Sequence, residues 1–101
     1  MTKRKAFTSF RNKGFLITFE NGVTVSVQFG PHHYCSNRSV LDDMAPRRVD
    51  MWESEDAELG IYNEDKWLTR EFDPSSDDDI IGWCKADIIV KALNWAYSWK
   101  K

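Results

Sequence analysis

Two runs of alternating apolar and polar residues stand side by side in the first third of the chain. The apolar positions are Phe15, Ile17 and Phe19 in the first run and Val23, Val25, Val27 and Phe29 in the second. Alternation with a period of two is typical of half-buried strands. A two-residue turn would put the apolar rows on opposite faces, whereas a three-residue loop, Glu20–Gly22, pairs Phe19 with Val23. The pattern therefore predicts a hairpin closed by a type I turn, with Gly22 as a left-handed bulge.

Shorter patterns predict the elements around this hairpin. Residues 1–6 are expected to form a frayed arm that leads into a short strand, and residues 30–51, which lack a clear period, to form a long loop. Alternation over 57–62 and turn residues at 63–66 predict a second hairpin, whose other strand covers 67–72.

The end of the chain has the period of a helix. Its apolar stripe consists of Ile88, Ile89, Ala92, Leu93, Trp95, Ala96 and Trp99. The stripe predicts a helix that begins near Lys85 and lies across the sheet, after a short extended piece at 80–84. The predicted fold class is α+β: an antiparallel sheet of about four to five strands, in two hairpins, with a C-terminal amphipathic helix packed on one face. Residues 1–101 are expected to form a single domain.

Composition narrows the class of protein. Hydrophobic residues make up 42% of the 101 positions and aromatic residues 14%, which indicates a packed core. No apolar run approaches the roughly 18 residues of a membrane span, and no secretory features are present, so we expect a cytoplasmic protein with no membrane partner. Five tryptophans in so short a chain favour a homodimer or a higher homo-oligomer.

Charge is divided unevenly along the chain, although the net charge is only -2. Residues 1–50 contain eight Lys and Arg against four Asp and Glu, and residues 51–101 contain six against twelve. Folding either interleaves these two sets or separates them into a basic patch and an acidic face.

The densest group of polar and aromatic residues is the stretch from Gly30 to Arg38. The candidate ligand-binding residues within it are His32, His33, Tyr34, Asn37 and Arg38. Imidazole and phenol rings offer stacking faces, Asn37 offers a donor and an acceptor, and Arg38 offers a planar fork suited to phosphate. These are the groups that an anionic nucleotide-like ligand requires. The alternative is a structural loop in which Tyr34 and Cys35 plug the core.

Other chemistries fit the residues less well. Soft metal ligands are present in His32, His33, Cys35 and Cys84, but adjacent histidines rarely bind one ion and no Cys-x-x-Cys motif occurs, so we expect neither a metal nor a cofactor. Cys35 beside a histidine resembles a nucleophile, but no oxyanion-hole glycines accompany it, so we expect no enzyme and no catalytic residue. Three consecutive basic residues at 3–5 are too few to predict nucleic-acid binding.

Acidic residues in the second half support a different function. If Glu55, Asp56, Glu58 and the other carboxylates of this half lay on one face, they would imitate a phosphate backbone and block a nucleic-acid-binding protein. The sequence alone leaves this alternative open.

Two segments resemble small uncharacterised proteins encoded by tailed bacteriophages. The segments are Phe19–Gly30 and Tyr34–Arg38, and together with the acidic second hairpin and the Trp-rich final helix the likeness extends over most of the chain. Such proteins are often accessory factors directed at host processes, including sponges for nucleotide immune signals and protein inhibitors of defence enzymes. The resemblance implies this setting and transfers no catalytic residue.

These observations lead to a functional expectation. The chain is expected to be a non-enzymatic accessory binding module of the host bacterial cytoplasm that sequesters a small anionic, nucleotide-derived host defence signal. The alternative is an acidic-faced inhibitor that binds a host defence protein or a nucleic-acid-binding protein.

Overall fold

The computed structural model describes residues 5–9, 13–30, 34–36 and 53–101. Within these ranges the chain forms a five-stranded antiparallel sheet, in which strand order follows chain order, and a helix packed against it. The strands are β1 (Phe7–Ser9), β2 (Gly14–Thr18), β3 (Thr24–Gln28), β4 (Ala57–Tyr62) and β5 (Ile80–Cys84), and the helices are α1 (Thr69–Phe72) and α2 (Ala86–Ser98). The predicted α+β fold class is confirmed. Most of the predicted arm 1–6 and loop 30–51 lies outside the described residues.

The first hairpin has the predicted register. Ile17 is paired with Val25, so the two apolar rows share one face of the sheet. The turn is closed by the N–H of Gly22, which donates to the Phe19 carbonyl at 2.9 Å, and by the N–H of Phe19, which donates to the Val23 carbonyl at 2.9 Å. Gly22 has a φ of 89°. This geometry is the predicted type I turn with a left-handed glycine bulge.

The core lies between one face of the sheet, called here the helix-side face, and α2. Its buried sheet residues include Val23, Val25, Leu59 and Ile61. Ala92 and Ala96 are fully buried against them, and their small side chains let the helix backbone approach the sheet closely. The predicted apolar stripe therefore faces the core, except for Ile88, which is exposed. Within the described parts of the chain, no helix is long and apolar enough to cross a membrane.

The opposite face, called here the far face, contains both polar and apolar buried groups. Leu16, Thr18 and Thr24 are buried on it. The hydroxyl oxygens of Thr18 and Thr24 lie 2.8 Å apart across the hairpin and form a hydrogen bond, which satisfies both groups away from water. Gln28 extends the polar row because its amide donates to the Ser26 hydroxyl at 3.2 Å.

The prediction that residues 67–72 form the second strand of a second hairpin is wrong. Trp67 forms a single bridge with Tyr62, and the chain then turns into α1. The backbone pairs with β4 as far as Leu68, whose N–H donates to the Ile61 carbonyl at 2.7 Å. The N–H of Ile61 then donates to the hydroxyl of Thr69 at 2.9 Å, so a side chain takes the place of strand backbone at this point. The next strand in the sheet is β5, which the sequence indicated only as an extended piece.

Asn21 attaches the hairpin turn to the end of α2. Its side-chain amide donates to the carbonyls of Ala96 at 2.8 Å and Trp99 at 3.0 Å, while its oxygen accepts the N–H of Val23 at 3.0 Å. The last carbonyls of a helix have no partner within the helix and require such donors. One side chain therefore closes the turn and caps the helix.

Asn21→Asp should separate these two roles. The carboxylate keeps the acceptor for the turn but removes the donors and places a negative charge at the negative end of the helix dipole, so we expect the free energy of unfolding at neutral pH to fall by about 1–3 kcal/mol. Protonation in acid removes the charge, so the difference from the wild type should shrink below about pH 4. Asn63→Ala, which removes only the local acceptor for Asp65 and Lys66, is the control. Urea melts that show equal losses for both variants at every pH would contradict the capping role.

Candidate functional site

Only one of the five predicted ligand-binding residues lies in a described part of the chain. Tyr34 belongs to the segment 34–36, and His32, His33, Asn37 and Arg38 lie outside the described residues. The segment docks on the far face, where β4 and β5 pair. Its surroundings define the candidate site.

Two carboxylates hold the segment in place. The N–H of Tyr34 donates to Oε2 of Glu58 at 3.0 Å. Both the N–H and the hydroxyl of Ser36 donate to Asp56, at 2.5 Å to Oδ1 and 2.7 Å to Oδ2. Hydrogen bonds to ionised acceptors are about twice as strong as neutral ones. The residues that begin β4 therefore fix the position of the segment that follows the first hairpin.

A β-bulge lies directly under the segment. The register between β4 and β5 shifts between Ala57 and Leu59, so Glu58 faces two residues, Gly82 and Trp83, instead of one. Trp83 has a φ of 51°, and it is the one residue other than glycine with positive φ in the described parts of the chain. A bulge of this kind bends the strand and redirects a side chain.

The bulge and the segment fit each other closely. The N–H of Trp83 donates to the Tyr34 carbonyl at 2.8 Å. A Cβ on Gly82 would lie 2.7 Å from the Cβ of Tyr34, which is closer than real carbon contacts, so only glycine permits this approach. Tyr34 therefore packs directly against the backbone of β5.

The two aromatic rings at the site form an exposed pair. The ring centroids of Tyr34 and Trp83 are 5.8 Å apart, with an angle of 39° between the planes. The exposed fractions are 43% for Tyr34 and 54% for Trp83. A non-glycine residue in the left-handed region costs on the order of 1–3 kcal/mol, and such strain clusters at functional sites. About half of Trp83 stays in water, and burial of the other half is worth about 2–3 kcal/mol, which is comparable to this cost.

The two cysteines have structural positions. Cys35 is buried, with its sulfur 3.5 Å from the Gly30 carbonyl oxygen. Burial raises the pKa of Cys84 to about 11, with smaller contributions from the negative charges of Asp73 and Asp56. The thiol of Cys84 is therefore protonated at neutral pH. The alternative interpretation expected both Tyr34 and Cys35 to be buried in the core. Cys35 is buried, whereas Tyr34 is 43% exposed.

Among the described residues, no group of three His, Cys, Asp or Glu is arranged to hold a metal ion.

Comparisons with protein-family models, curated proteins and solved structures gave no match for this chain.

Three residues of the site are absent from the predicted ligand-binding residues. Trp83 falls in the predicted extended piece, although a glycine inside a strand pattern, here Gly82, indicates a bulge or a close backbone approach and is the available signal. Asp56 and Glu58 alternate with the apolar residues of β4, so the sequence shows that they leave the helix-side face. Nothing in the sequence identifies their partners, because Tyr34 and Ser36 are about 20 positions away in the chain.

Replacing Trp83 with Gly and with Ala should measure the backbone strain. Glycine adopts positive φ without cost, so we expect Trp83→Gly to be more stable than Trp83→Ala by about 1 kcal/mol, the reverse of the usual order in a strand. Loss of the buried half of the side chain and relief of the backbone strain are of similar size and opposite sign, so the free energy of unfolding of Trp83→Gly should lie within about 1 kcal/mol of the wild type. Trp95→Ala, which removes a partly buried ring that contacts Phe72, should cost about 3 kcal/mol or more. A loss for Trp83→Gly as large as for Trp95→Ala would make the ring a core element instead of a surface platform.

Proposed function

We propose that this protein is a non-enzymatic binding module that sequesters a small anionic, nucleotide-derived signal at the site built on Tyr34 and Trp83. The observation that carries the proposal is the exposed ring pair at a strained bulge. Two aromatic rings held in solvent by a strained backbone form a surface suited to a planar group. Base stacking on such rings is worth roughly 1–3 kcal/mol per base.

The charges around the rings favour one orientation of the ligand. Asp56 and Glu58 place two carboxylates beside the segment, and both already accept hydrogen bonds from it. Phosphate groups would be repelled from this side of the site. We therefore assign the base to Tyr34 and Trp83, and the anionic groups to Arg38, with His32, His33 and Asn37 as further polar contacts.

The setting of the proposed function follows the resemblance to tailed-bacteriophage accessory proteins, some of which act as sponges for immune signals. Sequestration requires tight binding of the ligand and no chemical step. Homodimer formation is also part of the proposal, and the native mass spectrometry described below tests it.

Binding should be tested by calorimetry with the full chain against a panel of cyclic and linear nucleotides. We expect Arg38→Ala to weaken binding by about ten- to a hundredfold, because charge-assisted contacts are worth roughly 1.5–3 kcal/mol. Trp83→Ala should weaken it by roughly five- to a hundredfold through lost stacking. Gly82→Ala should also reduce affinity, because its new Cβ displaces Tyr34 without removing any contact group.

Tyr97→Ala is the matched control, since this ring is exposed on α2 and contacts Phe19, away from the site. Native mass spectrometry of freshly purified protein should reveal a retained ligand and count the subunits. Absence of binding to every nucleotide in the panel, together with the absence of a retained ligand, would end the proposal. Equal losses of affinity for Trp83→Ala and Tyr97→Ala would show that Trp83 does not stack on the ligand.

The acidic-faced inhibitor stays a prediction, but its test needs different residues. Asp56 and Glu58 hold Tyr34 and Ser36, so neutralising them would release the segment as well as remove charge. Carboxylates that do not support this segment are the better choice for variants.

A further inference from the structure

A second pair of aromatic rings lies on the far face, on the same two rows of residues as Tyr34 and Trp83. Tyr62 pairs with Thr24 of the far face on one side and with Trp67 in an isolated bridge on the other. Directly paired residues share one face of a sheet. The ring centroids of Tyr62 and Trp67 are 5.1 Å apart, and Trp67 is 45% exposed. The far face therefore presents an indole ring to solvent at two places.

The two ring pairs stand at consecutive far-face positions of β4. A Cβ on Gly60 would lie 3.2 Å from Cζ3 of Trp67, so the indole ring reaches back from Tyr62 over the backbone of Gly60. The next far-face residue along β4 is Glu58, whose carboxylate holds Tyr34. Residues two apart in a strand are separated by roughly 7 Å. The rings of the two pairs thus form one row along β4.

The surface between the two pairs is low and apolar. Gly60, which has no side chain, is paired with Ile80 of β5. Cδ1 of Ile80 would lie 3.1 Å from a Cβ on Gly60, so the isoleucine side chain covers the glycine next to the indole ring. A ligand that stacks on one pair is therefore able to extend over this surface to the other.

One positive charge lies at the second ring pair. Arg70 follows Trp67 by three positions, and its Nη2 lies 3.2 Å from Oδ1 of Asp79. This contact is an ion pair without a hydrogen bond, since Oδ1 accepts none within the described residues. The guanidinium therefore retains donors for a phosphate. Asp77 and Asp78, exposed in the loop before β5, oppose a ligand with many phosphates.

We propose that the ligand of this protein is a dinucleotide, with one base on Tyr34 and Trp83, the other on Trp67, and a single phosphate between them. This inference rests on the proposed nucleotide function and narrows its ligand. Aromatic side chains in a row bind successive bases by stacking. One base covers one ring pair, because the pairs stand at different positions of β4. We assign the linking phosphate to Arg70.

The test compares two ligands of equal charge by calorimetry on the full chain, for each of the common bases. These are the methyl phosphate ester of the nucleoside and the linear dinucleoside monophosphate. We expect the dinucleotide to bind roughly five- to a hundredfold tighter, because it gains one stacked base. Trp67→Ala should abolish this advantage and leave the affinity for the ester within about twofold of the wild type. Trp67→Phe, which keeps a ring, should retain part of the advantage.

Arg70→Gln tests the position of the phosphate. It should lower the affinity for the dinucleotide roughly three- to tenfold through the lost charge-assisted contact. Lys66→Gln is the matched control, because Lys66 is adjacent to Trp67 in sequence but pairs with Glu71 at 3.0 Å. This control should change the affinity by less than about twofold.

NMR signals of the indole N–H groups give a readout that does not depend on substitution. The signal of Trp67 should shift with the dinucleotide and stay in place with the ester. The signal of Trp99, whose indole N–H donates to Glu71, should stay in place with both.

Three results would overturn the two-base inference and leave the proposed function intact. These are equal affinities for ester and dinucleotide, equal losses of both affinities in Trp67→Ala, and equal effects of Arg70→Gln and Lys66→Gln. If circular dichroism shows that Trp67→Ala does not fold, the indole signals of the wild type decide, and an unshifted Trp67 signal overturns the inference. Binding of neither ligand for any base would instead end the proposed nucleotide function itself.

Discussion

The side chain of Asn21 determines how the two layers of this protein fit together. It lies in the turn that fixes the register of β2 and β3, and that register puts the valines of β3 on the face that α2 covers. The same side chain donates to the last carbonyls of α2. Ala92 and Ala96, in the half of the helix that Asn21 holds, are fully buried against the sheet.

Local patterns predicted the elements whose structure is decided locally. The bulged turn followed from three residues between two apolar rows, and α2 followed from the spacing of its stripe. The predicted strand at 67–72 stops pairing after Leu68, where the hydroxyl of Thr69 accepts the N–H of Ile61, and periodicity contains no information about such a replacement. Trp83 was missed for a related reason: its conformation depends on Tyr34, which is distant in sequence. Contacts of this kind require knowledge of the register between β4 and β5.

Two carboxylates at the start of β4 have a structural role. Asp56 and Glu58 turn toward the far face, where they hold the segment with Tyr34. These two carboxylates therefore act as hydrogen-bond acceptors within the fold, so the acidic residues of the second half of the chain do not all serve as surface charge.

The bulge at Trp83 also bears on aggregation. Sheets extend into larger assemblies when an outer strand offers a long, flat run of backbone donors and acceptors. Here the outer strand β1 has three residues, and β5 is bent by its bulge, with the N–H of Trp83 already bonded to Tyr34. In the described part of the chain, neither border of the sheet is a good template for another strand. This arrangement should disfavour the edge-to-edge stacking that leads to fibrils.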